Sequence, residues 1–342
     1  MTTSESSPRD ALLRTVNAYQ ISRAAHVAAS LGIADLLAAG PRDIDDLAAA
    51  TQTQASTLYR LLRALASVGI FAEVEDADGN RRFALTPQAQ YLRSDTPGSV
   101  RNWAVLMGRP YYQQAWAYLD ESIKTGQAVF PTVHGATLWE YRQAHPEEGA
   151  IFDAAMTGMS GGATAAIVAG YDFSGFASLV DVGGGHGELI AAILAANPGL
   201  RGVLFDQPHV VAGAPSLLAR AGIADRCEVV GGSFFDAVPG GAEVYLLMSI
   251  VHDWDDDSAV RILRICRSAM SESSRLLLIE QVVAPPNQPD RAKIGDLNML
   301  VLHGGRERTA DEFRALLASA GLRLSTIRPT RIGQSLLESV PA

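Results

Sequence analysis

Three ionisable side chains in the second half of the chain are candidates for acid–base chemistry. His252 directly follows an apolar segment at 243–250, Glu280 lies within another apolar segment, and Glu307 precedes a predicted helix. Histidine is the natural general base near neutral pH, and a carboxylate can hold its ring in one tautomer. Each residue alone also fits a structural role, as a core histidine, a satisfied buried acid or part of a solvated loop. Their joint occurrence favours an active site built around a general base.

A glycine-rich segment indicates a second kind of chemistry, the binding of a nucleotide-like ligand. The sequence DVGGGHG at 181–187 follows a short apolar run, and Asp206 ends the next one. Glycines let a ligand approach the backbone closely, and an acid at the end of the second strand can bind ribose hydroxyls. Dinucleotide binding stays open at this point, because Gly183 and Gly185 satisfy only part of the G-x-G-x-x-G pattern.

The elements that would position these residues alternate between strand and helix. Apolar runs bounded by turn residues predict seven strands, at 179–183, 202–206, 227–231, 243–250, 274–283, 324–327 and 335–340. Helices are predicted at about 188–196 and 256–270, and from a capping box that pairs Thr309 with Glu312. This alternation is typical of an α/β fold with a Rossmann-like, doubly wound parallel sheet. Ligands of such sheets bind at the carboxyl ends of the strands, where the candidate residues fall.

Residues 1–102 are predicted to form a mainly helical domain of winged-helix type. Asp43 can cap a short helix, leucines share one face of a longer helix at 55–68, and a hairpin signal follows at 71–85. A winged helix suggests DNA binding, but residues 1–100 carry nine Arg and no Lys against eleven Asp and Glu, without the basic face of a DNA reader. We therefore expect its apolar helices to pack against a second subunit.

Residues 103–342 are predicted to hold a helical linker region and then the sheet domain. The linker region, at 103–171, is rich in aromatic residues. Core packing accounts for most of them, and a few are candidates for the wall of a flat substrate pocket, since large rings supply stacking area.

Composition excludes several classes of function. The chain has 342 residues and a formal net charge of −9, which disfavours nucleic acid and anionic membranes as partners. No apolar run reaches the roughly 20 residues needed to cross a bilayer, and the N-terminus is polar, so we expect a cytoplasmic protein. Cys227 and Cys266 stand outside any Cys/His cluster, so neither a zinc site nor any other metal site is predicted.

Six segments of the second half together resemble a known family. They are LVDVGGGHG at 179–187, FDQPHV at 205–210, GGSFFDAVP at 231–239, HDWDDDSAVRIL at 252–263, LLIEQVV at 277–283 and DLNMLVLHGGRERTADEF at 296–313. Their order and spacing are similar to those of the plant-type small-molecule O-methyltransferases and their actinobacterial relatives, which use S-adenosylmethionine. The FDAAMTGMS segment at 152–160 and the N-terminal domain resemble that family too. The resemblance implies a seven-stranded methyltransferase-type sheet and a homodimer built on the N-terminal domain.

The resemblance also implies a cofactor site. S-adenosylmethionine would contact Gly183 and Gly185 along its methionine part, Asp206 at the ribose hydroxyls, Ser233 and Phe234 at the adenine, and Ser160 at its carboxylate end. The chain departs from the family twice here. Many members carry Asp where this chain has Ser233, and the plant enzymes carry Lys where it has Met248.

The same resemblance implies the reaction. His252 would deprotonate the acceptor hydroxyl, flanked by Glu280 and Glu307, and the acceptor would contact Met156, Asn298, Met299 and His303. The expected activity is methylation of a hydroxyl of a small aromatic metabolite, polyketide-like or phenazine-like. The alternatives are N- or C-methylation, a non-methylating reaction on the same cofactor platform, or a winged-helix regulator that senses a small ligand.

Overall fold

The structure is a computed structural model that describes residues 7–331 and 333–342, except for the side chains of 160–163. Its Cα atoms group into two compact units. Among the described residues, the first unit contains 7–117 and 139–161, and the second contains 118–138, 162–331 and 333–342. The predicted domain boundary after residue 102 concerns independent folding and stays a prediction.

The first unit is a helical module with one hairpin. Its elements begin with α1 (Pro8–Ser30), α2 (Ile33–Leu36), α3 (Ile44–Thr51), α4 (Ala55–Ala66), β1 (Phe71–Glu75), β2 (Arg81–Leu85), a 3-10 turn (Ala89–Leu92), α5 (Arg101–Met107) and α6 (Pro110–Trp116). Asp43 caps α3 through the backbone N–H of Asp46, as predicted. The apolar side of α4 buries Leu58, Leu62 and Leu65 against the hairpin residues Phe71 and Phe83. The helix–helix–hairpin pattern of the sequence is therefore present.

The second unit is built on a seven-stranded sheet. Its strands are β3 (Ser178–Val182), β4 (Arg201–Asp206), β5 (Cys227–Gly231), β6 (Val244–Met248), β7 (Arg275–Gln281), β8 (Leu322–Pro329) and β9 (Gln334–Pro341). The strand order is β5-β4-β3-β6-β7-β9-β8. The chain reverses its direction of travel across the sheet at β3, between β4 and β6, which is the point where doubly wound sheets bind their ligands.

Helices cover both faces of this sheet. The helices of the second unit are α7 (Leu119–Thr125), α8 (Phe130–His134), α11 (Glu188–Ala196), α12 (Pro208–Val211), α13 (Ala214–Arg220), α14 (Asp256–Ala269), α15 (Ala292–Leu302) and α16 (Ala310–Ser319). Nearly all of α9 (Leu138–Ala144) belongs to the first unit, and α10 (Pro146–Gly170) begins in the first unit and ends in the second. Alternate strand residues enter two separate cores, one with α11 and α13 and the other with α14 and α16. The capping box of α16 forms as predicted, between Thr309 and Glu312.

The sheet is mixed, whereas alternation of strands and helices predicted a parallel one. β3, β4, β5, β6 and β7 run parallel to one another, but β9 runs antiparallel to both β7 and β8. Only residues 330–333 connect β8 to β9. A parallel crossover needs a dozen or more residues, so this short connection forces the antiparallel pairing.

Among the described residues, no single helix is long and apolar enough to cross a membrane. One bent pair of segments, Pro146–Met159 and Thr164–Gly170, passes the same test by length and composition only.

Candidate active site

The catalytic turn, residues 249–254, follows the carboxyl end of β6. Ser249 leaves the strand with a φ of 54°, and its hydroxyl accepts a hydrogen bond from the Gln334 side chain of β9 at 2.8 Å. A 3-10 turn then spans Val251–Asp253. The tight turn brings His252 back over the end of the neighbouring strand β7, which carries Glu280.

The structure brings His252 together with both predicted carboxylates. Its Nδ1 lies 3.0 Å from Oε1 of Glu307 and 3.7 Å from Oε2 of Glu280. Glu280 is fully buried, and the Glu307 side chain is only 1% exposed. In the neutral imidazole, a proton on Nδ1 donated to Glu307 leaves the lone pair on Nε2. The arrangement can therefore present Nε2 as a base.

The two glutamates do different work on the catalytic turn. Oε1 of Glu280 accepts hydrogen bonds from the backbone N–H groups of Ile250 and Val251, at 3.1 and 2.8 Å. A buried carboxylate that accepts two backbone N–H groups fixes the turn itself. Glu307, in contrast, binds the imidazole ring.

Glu307 is itself held on two sides. The Nε2 group of Gln281 donates to its Oε1 at 3.3 Å, and its backbone N–H donates to Oδ1 of Asp296 on α15 at 2.8 Å. The carboxylate that orients His252 is thus fixed by β7 and by α15. Neither Gln281 nor Asp296 was predicted as a site residue. The signal in the sequence was their position, since Gln281 follows Glu280 and Asp296 lies two residues before Asn298.

The carboxylates dominate the electrostatics of the site. Burial alone would lower the pKa of His252, but the charges of Glu280, Asp253 and Glu307 outweigh it and raise the pKa to about 10. Burial raises the pKa of Glu280 to about 7, against the opposing attraction of the imidazolium. The surrounding carboxylates therefore favour the imidazolium form of His252.

The face of His252 away from Glu307 meets a further acid. Oδ1 of Asp253 lies 3.5 Å from Nε2 of His252 and 3.9 Å from Nε2 of His303. His303 follows the end of α15, the helix that also carries Asn298 and Met299. Of the residues predicted to contact the acceptor, Asn298 and Met299 therefore lie on α15, and His303 follows its end beside the catalytic turn. Asp253 is a site residue that the sequence analysis quoted but did not assign.

The glycine-rich turn lies at the carboxyl end of β3. Gly183, Gly185 and Gly187 have φ values of 72°, 61° and 88°, which favour glycine. A Cβ on Gly183 would lie 2.5 Å from the side chain of Ile250 and 3.7 Å from the ring of Phe234. The turn therefore exposes backbone in a narrow space, where a ligand could reach peptide groups directly.

Asp206 stands beside this turn at the end of β4. Its carboxylate accepts the backbone N–H of Gly185 at 2.8 Å and that of Gln207 at 2.6 Å. Burial raises the pKa of Asp206, and burial together with the charge of Asp206 raises the pKa of Asp181 to about 7. An uncovered backbone turn next to a carboxylate offers the donors and acceptors that a ribose and an amino-acid group need, so these residues fit S-adenosylmethionine.

The other predicted cofactor residues are placed as follows. The hydroxyl of Ser233 accepts the backbone N–H of Phe235 at 3.2 Å and so holds its own turn. Phe234 packs with the rings of Phe235 and Trp254, which also contact each other. Met248 ends β6, packed against the core. The side chain of Ser160 lies outside the described residues, and Met156 is half-buried on α10 in the first unit.

Two family models match the chain. An O-methyltransferase domain matches residues 116–323, and an O-methyltransferase dimerisation domain matches residues 13–95.

Individual relatives span almost the whole chain. A phenazine O-methyltransferase of Lysobacter antibioticus is 43% identical over 96% of this chain and 95% of its own length. An 8-amino-8-demethylriboflavin N,N-dimethyltransferase of Streptomyces davaonensis is 38% identical over 89% of this chain and 87% of its own. A solved O-methyltransferase from neocarzinostatin biosynthesis, in complex with S-adenosylmethionine and 2-hydroxy-5-methyl naphthoic acid, superposes with a TM-score of 0.82 at 36% identity, covering 94% of this chain and 96% of that one.

Proposed function

We propose a specific reaction for this chain, which belongs to the family of S-adenosylmethionine-dependent O-methyltransferases. The methyl group goes to a hydroxyl of a small aromatic metabolite, phenazine-like or polyketide-like, and His252 is the general base. The relatives that act on a phenazine and bind a naphthoic acid support this class of acceptor. The 3.0 Å contact between Nδ1 of His252 and Glu307 carries the proposal, because it leaves Nε2 to take a proton.

The chain's own groups then move one proton. Nε2 of His252 takes the hydroxyl proton while the acceptor oxygen forms its bond to the methyl carbon. The bound cofactor supplies that methyl group on a positively charged sulfur, which leaves as a neutral thioether. The imidazolium that forms is stabilised by Glu307 at Nδ1 and by Asp253, 3.5 Å from Nε2.

The raised pKa of His252 suits this proton transfer. An unperturbed phenol has a pKa of about 10, which is close to the pKa of about 10 that the surrounding carboxylates give His252. Transfer between groups of equal pKa costs little free energy. The same raised pKa keeps the free base scarce at pH 7, so kcat/KM should rise with pH towards 10.

Replacement of the base tests this proposal. We expect His252→Ala to leave the affinity for S-adenosylmethionine nearly intact but to lower the methylation rate by about 10²–10⁴-fold, the usual weight of a positioned general base. The loss should shrink as pH rises towards the pKa of the acceptor, because a phenolate needs no base. His145→Ala, at an exposed histidine of the first unit, is the matched control. A folded His252→Ala enzyme that methylates at the wild-type rate at pH 7 would refute the assignment.

N-methylation is the second candidate, because one relative is an N,N-dimethyltransferase. When an amine attacks the methyl carbon, its nitrogen becomes positively charged. A base is then needed only to remove a proton from that nitrogen. Mass spectrometry and NMR of the methylated product separate the two activities by the atom that carries the new methyl group. The match to a dimerisation domain favours both over a DNA-binding regulator.

The dimerisation domain supports a homodimer as the working form. The first unit exposes large apolar side chains along α1, with Leu12, Val16 and Tyr19 each more than 60% exposed. Apolar surfaces of this kind are rarely left bare in a folded protein. We expect sedimentation at micromolar concentration to give a species of twice the chain mass of 36.3 kDa. A single species at the chain mass would contradict this.

Two further expectations stay predictions, the cytoplasmic location and the absence of a metal. The ligand atoms of His252, Glu280 and Glu307 lie within 4.8 Å of one another, which by distance alone would suit a metal ion. The Nδ1 atom that faces both carboxylates is the one whose proton Glu307 accepts in the proposed mechanism. We therefore expect a chelator to leave the methylation rate unchanged.

A further inference from the structure

A second segment, the brace (residues 303–308), lies directly against the catalytic turn. The backbone N–H of Arg306 donates to the carbonyl of His252 at 2.9 Å. A Cβ on Gly305 would lie 2.1 Å from that same carbonyl oxygen, so only glycine lets the two backbones approach this closely. The brace also carries Glu307. The base and the carboxylate that orients it therefore sit on two separate segments that must be held in register.

The buried side chain of Arg308 connects these two segments. It is 1% exposed, the largest fully buried side chain of the described residues. One guanidinium nitrogen donates to the carbonyl of Val251 at 3.0 Å, and the other donates to the carbonyl of Trp254 at 2.9 Å. These carbonyls lie just before and just after the His252–Asp253 pair. The guanidinium thus bridges the part of the catalytic turn that carries His252 and Asp253.

The same guanidinium is tied to its surroundings on its remaining sides. Its Nε and one terminal nitrogen donate to Oδ1 of Asp256, at 3.0 and 2.8 Å, and it also reaches the carbonyl of Arg306 at 3.2 Å. Asp256 opens α14 and its side chain is 56% exposed. The planar fork of arginine can serve several acceptors in fixed directions, which the point charge of a lysine cannot.

The burial of this cation has a cost that an apolar residue would avoid. A buried charge must be compensated by good geometry and by further hydrogen bonds, and an apolar replacement of equal volume is often no less stable. Asp256 pairs with the charge of Arg308, and two further hydrogen bonds go to the backbone carbonyls that flank the His252–Asp253 pair. What arginine adds at this position is therefore the fixed geometry of the catalytic turn.

We infer that Arg308 is a positioning residue for methyl transfer, which holds His252 at hydrogen-bonding distance from Glu307. This inference rests on the proposed role of His252 as the base. Misplacement of a reacting group by about 1 Å can lower a rate about 10²-fold. Loss of the guanidinium should therefore act on kcat, while the glycine-rich turn after β3 (residues 183–187, the cofactor turn) keeps its affinity for S-adenosylmethionine.

Three variants at two positions test the inference. We expect Arg308→Met to lower kcat by about 10–100-fold, with the KM for S-adenosylmethionine within about twofold of wild type. Arg308→Lys, which keeps the charge and some donors, should recover part of the loss. Arg314→Met is the matched control, because that arginine of α16 pairs with Asp311 from a side chain that is 61% exposed. Its kcat should stay within about twofold of wild type.

A double-mutant cycle separates positioning from general stability. If Arg308 acts through the base, Arg308→Lys should lower kcat in the wild-type enzyme but not in the His252→Ala enzyme. An equal loss in both backgrounds would overturn the inference, and so would a folded Arg308→Met enzyme with wild-type kcat. If Arg308→Met does not fold, the cycle with Arg308→Lys decides alone, and an Arg308→Lys enzyme with wild-type kcat then overturns the inference. Failure of the proposed function gives a different result, a His252→Ala enzyme that is fully active.

Discussion

The two halves of the candidate site, the cofactor turn and the catalytic turn, are held in place by different kinds of interaction. Around the cofactor turn, backbone N–H groups make the contacts: Gly183 donates to the carbonyl of Phe205 at 2.8 Å, and Gly185 donates to the carboxylate of Asp206. Around the catalytic turn, buried charged side chains bind the backbone, as Glu280 and Arg308 do. The cofactor turn therefore depends on one carboxylate, that of Asp206, whereas the catalytic turn depends on several charged side chains.

This difference predicts which kinetic quantity each substitution will change. Substitutions near the cofactor turn should change the affinity for S-adenosylmethionine and leave kcat at saturation largely intact. Substitutions near the catalytic turn should change kcat or its pH dependence and leave that affinity intact. A substitution that breaks this division would show that the two halves are coupled.

Of the three substitutions that test this division, Gly305→Ala in the brace should have the largest effect on kcat. The Cβ of Gly305→Ala would lie 2.1 Å from the carbonyl oxygen of His252 and 2.4 Å from the carbonyl carbon of Asp253. Both contacts are with backbone atoms, so the catalytic turn and the brace must move away from each other. We expect kcat to fall by about 100-fold or more, on the scale of a misplaced reacting group. Steady-state kinetics at saturating cofactor measures this.

Gly199→Ala is the control for that substitution, because a Cβ there meets nothing within 4 Å. It should leave kcat unchanged. If Gly305→Ala folds and keeps wild-type kcat, the spacing of the brace and the catalytic turn does not govern the reaction. A loss of cofactor affinity without loss of kcat would break the division between the two halves.

A smaller effect, on affinity, is expected at the cofactor turn. Asp206→Ala should weaken the binding of S-adenosylmethionine by about 2 kcal/mol, on the scale of a lost hydrogen bond to a charged group. Part of this loss should come from Gly185, whose backbone N–H loses its acceptor. Titration calorimetry on the folded variant measures the affinity, and kcat at saturating cofactor should change little. Asp225→Ala, at an exposed acid near the start of β5, is the control. Unchanged affinity would mean that Asp206 does not anchor the ribose.

Local signals in the sequence predicted the elements well. The capping box at Thr309, the cap at Asp43 and the strand at 227–231 all depend on residues close in the chain, and the structure confirms them. The antiparallel direction of β9 was missed, because alternation of strands and helices does not reveal strand direction.

The site shows the same limit. His252, Glu280 and Glu307 could be singled out because their types suit acid–base chemistry and their segments end at one sheet edge. Arg308 could not, because the two carbonyls that it holds beside the base lie more than 50 positions away in sequence and belong to the backbone, which every residue has. A buried arginine looks like any other in a sequence. Only the fold shows what it holds.

The smallest effect should be a shift along the pH axis. Glu307→Gln keeps an oxygen that can accept the proton of His252 Nδ1, but removes one of the negative charges that raise the pKa of His252 to about 10. Without this carboxylate the imidazolium of His252 is less stabilised, so the pKa of His252 must fall. We expect a decrease of about one unit, which corresponds to about 1.4 kcal/mol of interaction between the two charges. Histidine-labelled NMR titration reads this pKa directly, with the resonance assigned by its absence in His252→Ala. The ascending limb of kcat/KM should move to lower pH by the same amount.

Asp311→Asn removes an equal charge from a side chain that is 91% exposed and should leave both the pKa of His252 and the pH profile of kcat/KM unchanged. A pKa that stays the same, or rises, in Glu307→Gln would show that the charge of Glu307 does not govern the base, and that Glu280 and Asp253 set its basicity alone.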